Sequence, residues 1–273
     1  NPNLDVSVSM EFLRQEFRKA KQLPGYENTF RRLYLNQRTA VDVREFDVDA
    51  WDECAGATPW PELPEALRGQ PCQVGVDLGL TGVTAIALWF PQQSTVVCRY
   101  LIAAEAAHRL EEVRKQTPFR TWGSQGAIEL VPGRSLDYDR LRSVIREIGD
   151  TYVVDKIAFD PWQSQQLGGE LEREGFSVYA FRQTMTMFSS PFRELQRLIA
   201  DRAIRHGGHP ILRLNVQHCV ADEDSSGNKR PNKGKSTDLI DGLVALLMAI
   251  GLAQNSEVPD GVYADGDFSW MEA

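Results

Sequence analysis

The chain has 273 residues and a formal net charge of −8, with charged and apolar fractions ordinary for a folded globule, so disorder throughout is excluded and one large domain or two small ones are allowed. Four scattered cysteines, Cys54, Cys72, Cys98 and Cys219, form no CxxC pair, which argues against a zinc ribbon or a disulfide framework and for a reducing, cytoplasmic setting. No run of about 18 apolar residues occurs, so no membrane span is expected, nor does the N-terminus read as a signal peptide.

In chain order, helical spacing covers Met10 to Lys21 until Pro24 stops it, and a second short helix is expected over Tyr26 to Leu35. Residues 39–70, rich in acids, proline and tryptophan, read as a linker that packs on a domain. Three meandering strands follow at Cys72 to Leu78, Thr84 to Phe90 and Thr95 to Ile102, with Gly79 and Gly82 at the first turn. Next come a helix over Ala104 to Gln116, a short hairpin arm at Gly126 to Val131, an amphipathic helix over Asp137 to Ile148 and a buried strand at Val153 to Phe159. A helix is expected over Gln163 to Glu174, a strand at Ser177 to Phe181 and a helix over Pro191 to Arg205 with proline in its first turn. The apolar stretch Pro210 to Leu214 reads as leading to a strand end near His218. The polar stretch Asp222 to Lys235 reads as a mobile loop, and Thr237 to Leu252 as a mostly buried helix capped by Ser236. This order suits an α/β fold, a mixed sheet with helices on both faces.

Three aspartates stand at edges of hydrophobic elements. Asp77 ends the strand Val74-Gly75-Val76, Asp160 ends Ala158-Phe159 before Pro161-Trp162, and Asp241 lies inside an apolar helix. Each has an ordinary alternative: a turn cap, a helix N-cap and a buried ion pair, respectively. Together they suit hard divalent cations, which prefer oxygen donors, and two such ions activate a water for phosphodiester hydrolysis. Asp238 lies about 60° around the helix from Asp241 and, as a first-turn residue near Ser236, is the second choice of ligand. Although the net charge argues against nucleic acid, the stretch from Phe192 to Lys235 concentrates base, including Arg193, Arg197, Lys229, Arg230, Lys233 and Lys235. It is a candidate DNA-backbone surface, or else a solvated face. His209 and His218 are weaker candidates for the site's surroundings, Lys233 and Lys235 for contact with phosphate or the attacking water. Trp162 and Phe188 read as core.

The order of Asp77, Asp160 and Asp241 resembles the metal site of ribonuclease-H-like enzymes. Further stretches resemble the large terminase subunit of tailed phages: Phe30-Arg31-Arg32-Leu33-Tyr34-Leu35-Asn36, Trp51 with Cys54, Val76-Asp77-Leu78-Gly79, Val131-Pro132-Gly133, Phe159-Asp160-Pro161-Trp162, Ser189-Ser190-Pro191 with Glu194-Leu195, and Lys235-Ser236-Thr237 running into Ile240-Asp241-Gly242. His218 departs from the small polar residue expected there. The resemblance implies a ribonuclease-H-like mixed sheet and an endonuclease using two Mg²⁺ or Mn²⁺ ions on double-stranded DNA. It also implies partners: an ATPase motor domain, the small terminase subunit and the portal of the procapsid, in the host cytoplasm and not in the mature virion. No G-x-x-x-x-G-K-[ST] motif is present; Gly234-Lys235-Ser236 has Lys229 where the first glycine belongs. The expected division is a segment at 1–70 from a motor junction, a nuclease domain at 71–255 and an acidic tail at 256–273. Two alternatives remain open here. Asp77-Leu78-Gly79-Leu80-Thr81 also fits the first hairpin of actin-like and sugar-kinase phosphotransferases, and a packaging module that binds DNA without cutting is the third reading.

Overall fold

The computed structural model describes residues 8–22, 24–35, 45–114, 117–236 and 238–254. The tail expected at 256–273, Gln116 and the side chain of Trp162 lie outside the described residues.

Two helices, α1 (Met10–Gln22) and α2 (Pro24–Leu35), pair with each other. Pro24 ends the first helix and opens the second, where a missing N–H costs no hydrogen bond. The stretch read as a linker carries α3 (Val48–Glu53) and α4 (Leu63–Ala66), and Phe46, Ala50 and Trp51 are buried in the main core. The three meander strands are β1 (Pro71–Asp77), β2 (Val83–Phe90) and β3 (Thr95–Ala103). After them come α5 (Ala104–Arg114), α6 (Phe119–Ser124), β4 (Glu129–Val131), α7 (Tyr138–Thr151), β5 (Val153–Phe159), α8 (Pro161–Arg173), β6 (Val178–Ala180), α9 (Met185–Ala200), α10 (Pro210–His218), β7 (Ala221–Glu223), β8 (Lys229–Pro231) and α11 (Asp241–Gln254).

Six strands form one mixed sheet in the order β4-β3-β2-β1-β5-β6. Side-chain alternation divides it into two faces. Val74, Val76, Ile86, Leu88, Ile157 and Phe159 face the cluster that includes Leu141, Val144 and Ile145 of α7 and Leu167 of α8. Ala85, Ala87, Tyr100 and Ala158 face the other cluster, which holds α11. Small residues let α11 sit close: a Cβ on Gly75 would lie 2.0 Å from the Ala245 carbonyl oxygen. The same alternation turns Asp77, two residues beyond Gly75, toward α11.

Several expectations need correction. Glu129–Val131 is a parallel partner of β3, not a hairpin arm, because the helices α5 and α6 carry the chain across before it returns. The helix expected from Pro191 begins six residues earlier, at Met185, where Thr184 caps it. Pro191 sits inside the helix and packs toward Gly251. The same helix stops at Ala200 because Arg202 takes a left-handed conformation (φ 55°) and Arg205 bridges to Thr95. Residues 210–218 form a helix, not a strand, with the His209 ring accepting from the Ile211 and Leu212 amides. The supposed loop holds the β7–β8 hairpin. Its tip is organised by Asp224, whose carboxylate accepts from the Ser226 and Asn228 amides and from the Asn228 side chain, next to Gly227 at φ +76°.

Candidate active site

The two central parallel strands bring their ends together. β1 and β5 pair in register through Val76 and Phe159, so the next residue on each, Asp77 and Asp160, stands at adjacent strand ends. Asp160 continues the alternation from Ala158 on the α11 side and directly precedes α8. A glycine turn closes the β1 end: the Gly79 amide donates to Thr84 Oγ1 at 3.0 Å, and a Cβ on Gly79 would meet the Val83 carbonyl oxygen at 2.2 Å.

The Asp77 side chain is almost wholly buried, at 4% exposure. Lys233 Nζ lies 2.5 Å from Asp77 Oδ2 and 3.2 Å from Asp241 Oδ1, bridging the two carboxylates. Burial pushes the Asp77 carboxyl well above the ordinary carboxylate range, the Lys233 ammonium opposes this, and Asp241 reinforces it. Burial works against the Lys233 charge as well, but Asp77 and Asp241 outweigh it and hold the ammonium above the ordinary lysine range. The pair, with Asp77 buried and Asp241 half-buried, is thus a concentration of negative charge that needs a cation.

Among the described residues no third histidine, cysteine, aspartate or glutamate closes on a common point with this pair. The expected convergence of Asp77, Asp160 and Asp241 therefore appears as two carboxylates bridged by a lysine, with Asp160 at the neighbouring strand end. Bringing a third carboxylate onto the same point would add repulsion that one ammonium does not offset.

The helix start also differs from expectation. α11 begins at Asp241 itself, so Asp241 is the first-turn acid facing the helix dipole. Asp238 lies before the helix, its carboxylate accepting from the Leu239 amide and the Thr117 hydroxyl. Ser236 does not cap α11: its hydroxyl donates to the Asn232 carbonyl and accepts from the Val220 amide. Capping comes instead from another helix. Asn215 Oδ1 of α10 accepts from the Gly242 amide and from the Tyr100 hydroxyl, both at 3.0 Å, and its Nδ2 donates to the Leu239 carbonyl at 2.8 Å. Asn215 and Tyr100 are buried, and a Cβ on Gly242 would lie 1.9 Å from the tyrosine oxygen. Both residues were missed in the sequence. For Asn215 the available signal was an uncharged polar residue between the apolar Leu214 and Val216.

The basic residues do not gather into one open patch. Lys229 pairs with Glu45 at 2.7 Å, and Arg230 and Lys235 both pair with Asp222, at 3.3 and 2.8 Å. Hydrogen bonds from Lys235, Asn232 and Arg230 hold the Asp222 carboxyl down to about 2. Arg193 is exposed on α9, and Arg197 on the same helix pairs with Glu194 and Asp201. His209 is buried against Trp60 and Tyr100 rather than facing the carboxylates, and Phe188 is core, against Phe181.

Residues 1–257 match the model of the terminase large subunit endonuclease domain. The chain belongs to that family. It is 29% identical over 273 residues to the terminase large subunit of Enterobacteria phage HK97, covering 98% of this chain and 52% of that protein. It is 26% identical to protein YmfN of Escherichia coli (strain K12), covering 95% of this chain and 59% of that one. The crystal structure of the HK97 bacteriophage large terminase aligns with a TM-score of 0.65 at 27% identity, over 92% of this chain and 52% of that one. The chain thus spans between half and three-fifths of the length of these two relatives, and its sheet is the ribonuclease-H-like sheet of terminase nuclease domains.

Proposed function

We propose that this terminase nuclease domain is a metal-dependent endonuclease that cuts double-stranded DNA through two Mg²⁺ or Mn²⁺ ions. The observation that carries the reading is the Asp77–Asp241 pair, two carboxylates, one buried and one half-buried, brought together over a single lysine ammonium. The donor set is all oxygen and anionic, which fits a hard divalent cation. Asp77 and Asp241 would hold the ions, with Asp160 completing the set from the adjacent strand end and Asp238 an outer group. Bound there, the ions supply Lewis-acid activation of a water and stabilise charge on the leaving oxygen.

The chain's own residues do the positioning. Asp77 is fixed by the strand end and its glycine turn, and Asp241 by the helix start that Asn215 caps. The exposed base of α9 and the β7–β8 hairpin would meet the phosphate backbone. Arg193 is open to do so, whereas Arg197, Lys229, Arg230 and Lys235 must exchange their carboxylate partners for phosphate. Backbone contacts carry no direct sequence information, so cutting has little sequence preference. In the whole protein the ATPase motor, small subunit and portal would deliver the DNA, in the host cytoplasm during packaging.

The test is plasmid cleavage. Nicking or linearisation should require Mg²⁺ or Mn²⁺, stop in excess EDTA and weaken steeply with salt. Cleavage that persists in EDTA would sink the reading.

A further inference from the structure

From the sequence Lys233 is a candidate to contact phosphate or the attacking water; in the structure its ammonium lies between the two carboxylates. The backbone beneath it is tied down. The Asn232 amide donates to the Val220 carbonyl at 2.8 Å, its side chain donates to Asp222 at 2.8 Å, and its side-chain oxygen accepts from the Lys235 amide at 3.0 Å. The Asn232 carbonyl also receives the Ser236 amide and hydroxyl, at 3.0 and 2.7 Å. The turn is therefore anchored on both sides of Lys233, while the lysine side chain itself is 43% exposed and reaches inward only with its tip. Such a four-carbon stem with a compact charge at its end can leave by rotamer change alone, with no movement of the turn.

One ammonium between two carboxylates leaves a net charge of −1 when both are ionised, whereas a divalent cation would neutralise the pair. An ion bound by Asp77 and Asp241 would also stand within a few ångströms of the ammonium, and two positive charges at that distance repel strongly in a buried setting. Lysine and metal are alternative partners for the same oxygens. We propose that Lys233 is a built-in counter-ion that holds the Asp77–Asp241 pair until a divalent cation displaces it, and that the released ammonium then faces the DNA phosphate. This rests on the metal-site reading above. It assigns Lys233 two positions and makes it a positioning residue that sets metal affinity as well as DNA contact.

The experiment uses two readouts that do not depend on cleavage. Calorimetric titration with Mn²⁺ alone compares the wild-type chain with Lys233→Met. Loss of the competing ammonium should tighten Mn²⁺ binding by about tenfold or more, while lowering the melting temperature of the metal-free variant. In parallel, the wild-type chain is acylated with an amine-directed reagent and mapped by mass spectrometry, with and without saturating Mg²⁺. Lys233 should be protected without Mg²⁺ and reactive with it, while Lys229 and Lys235, paired to Glu45 and Asp222, change little. If the ions bind but Lys233 labelling does not move and Lys233→Met binds Mn²⁺ no tighter, the counter-ion role is wrong and the metal site stands. If neither ion binds at all, both readings fall together.

Discussion

Asn215 is the residue on which the geometry of Asp241 turns, and its removal has a calculable cost. Asn215→Ala strips partners from three groups at once: the Tyr100 hydroxyl, the Gly242 amide and the Leu239 carbonyl. A buried polar group left unsatisfied costs about 1–3 kcal/mol. Three of them give roughly 3–6 kcal/mol if a water enters the space and partly satisfies them. Against a typical stability of about 5–15 kcal/mol, that is a large fraction. Tyr100→Phe leaves both remaining Asn215 bonds in place and should cost only about 1 kcal/mol. In the Asn215→Ala background it should cost nothing or be slightly stabilising, because the hydroxyl it removes is already orphaned. The double-mutant cycle should therefore show a coupling of about 1 kcal/mol or more. Urea unfolding followed by circular dichroism, with an unchanged m value, measures all four proteins. An Asn215→Ala variant within about 1 kcal/mol of wild type, or a strictly additive cycle, would refute the reasoning.

Two further outcomes are expected. Asp241→Asn should abolish metal-dependent plasmid cleavage with the fold intact by circular dichroism. Asp238→Asn, which keeps a side-chain oxygen that can accept from Leu239 or Thr117, should lose far less; the reverse ranking would move the ligand assignment to Asp238. The His209 imidazole is pushed down to about 3 by burial, with the His206 charge acting in the same direction, and its unprotonated Nδ1 accepts from the first amides of α10. An unfolded histidine titrates near 6.5. Between those values the unfolded chain binds the proton and the native chain does not, so stability contributed by His209 is present above about pH 6.5 and declines as pH falls toward 3. His209→Asn keeps a capping acceptor without the titration, and its stability between pH 7 and 5 should fall less than that of the wild type. Parallel acid profiles would count against the assignment.

Much of the sheet was legible because its signals are local. Val153 to Phe159 and Thr95 to Ile102 are dense in β-branched and aromatic residues, so strand type followed from composition; Asp160-Pro161 stops the first, whereas the second runs on through Ala103 directly into α5. Asp77, Asp160 and Asp241 stood out because each interrupts or ends an apolar run, where a carboxylate needs a reason. Elements governed by distant partners were not legible in the same way. The β7–β8 hairpin is short, polar and Gly/Pro-rich, and what makes it a hairpin is the Asx bonding of Asp224 and the ties of Asp222, not a hydrophobic period. The fourth strand looked like a hairpin arm because three residues cannot announce whether their partner runs parallel or antiparallel.

The start of the last helix shows why the remaining part of the site was hidden. Helix signals in sequence are sought within a few residues of the first turn, and Ser236 satisfied that search. The actual capping acceptor is Asn215, separated by 27 positions from the Gly242 amide it receives. A cap supplied from another helix leaves no local mark, yet it fixes which residue becomes first in the helix. Here that residue is Asp241, so one amide from α10 decides that Asp241, rather than Asp238, receives the helix dipole and faces Asp77 across Lys233. The same physics explains why Lys233 read as a phosphate contact. A lysine in a polar turn looks solvated unless the two carboxylates it bridges, one 156 positions earlier and one eight later, are known to meet at that point. The chemistry-bearing residues were visible individually because burial of charge is locally anomalous, and their pairing was not, because pairing belongs to the packing of α10 and α11 on the sheet.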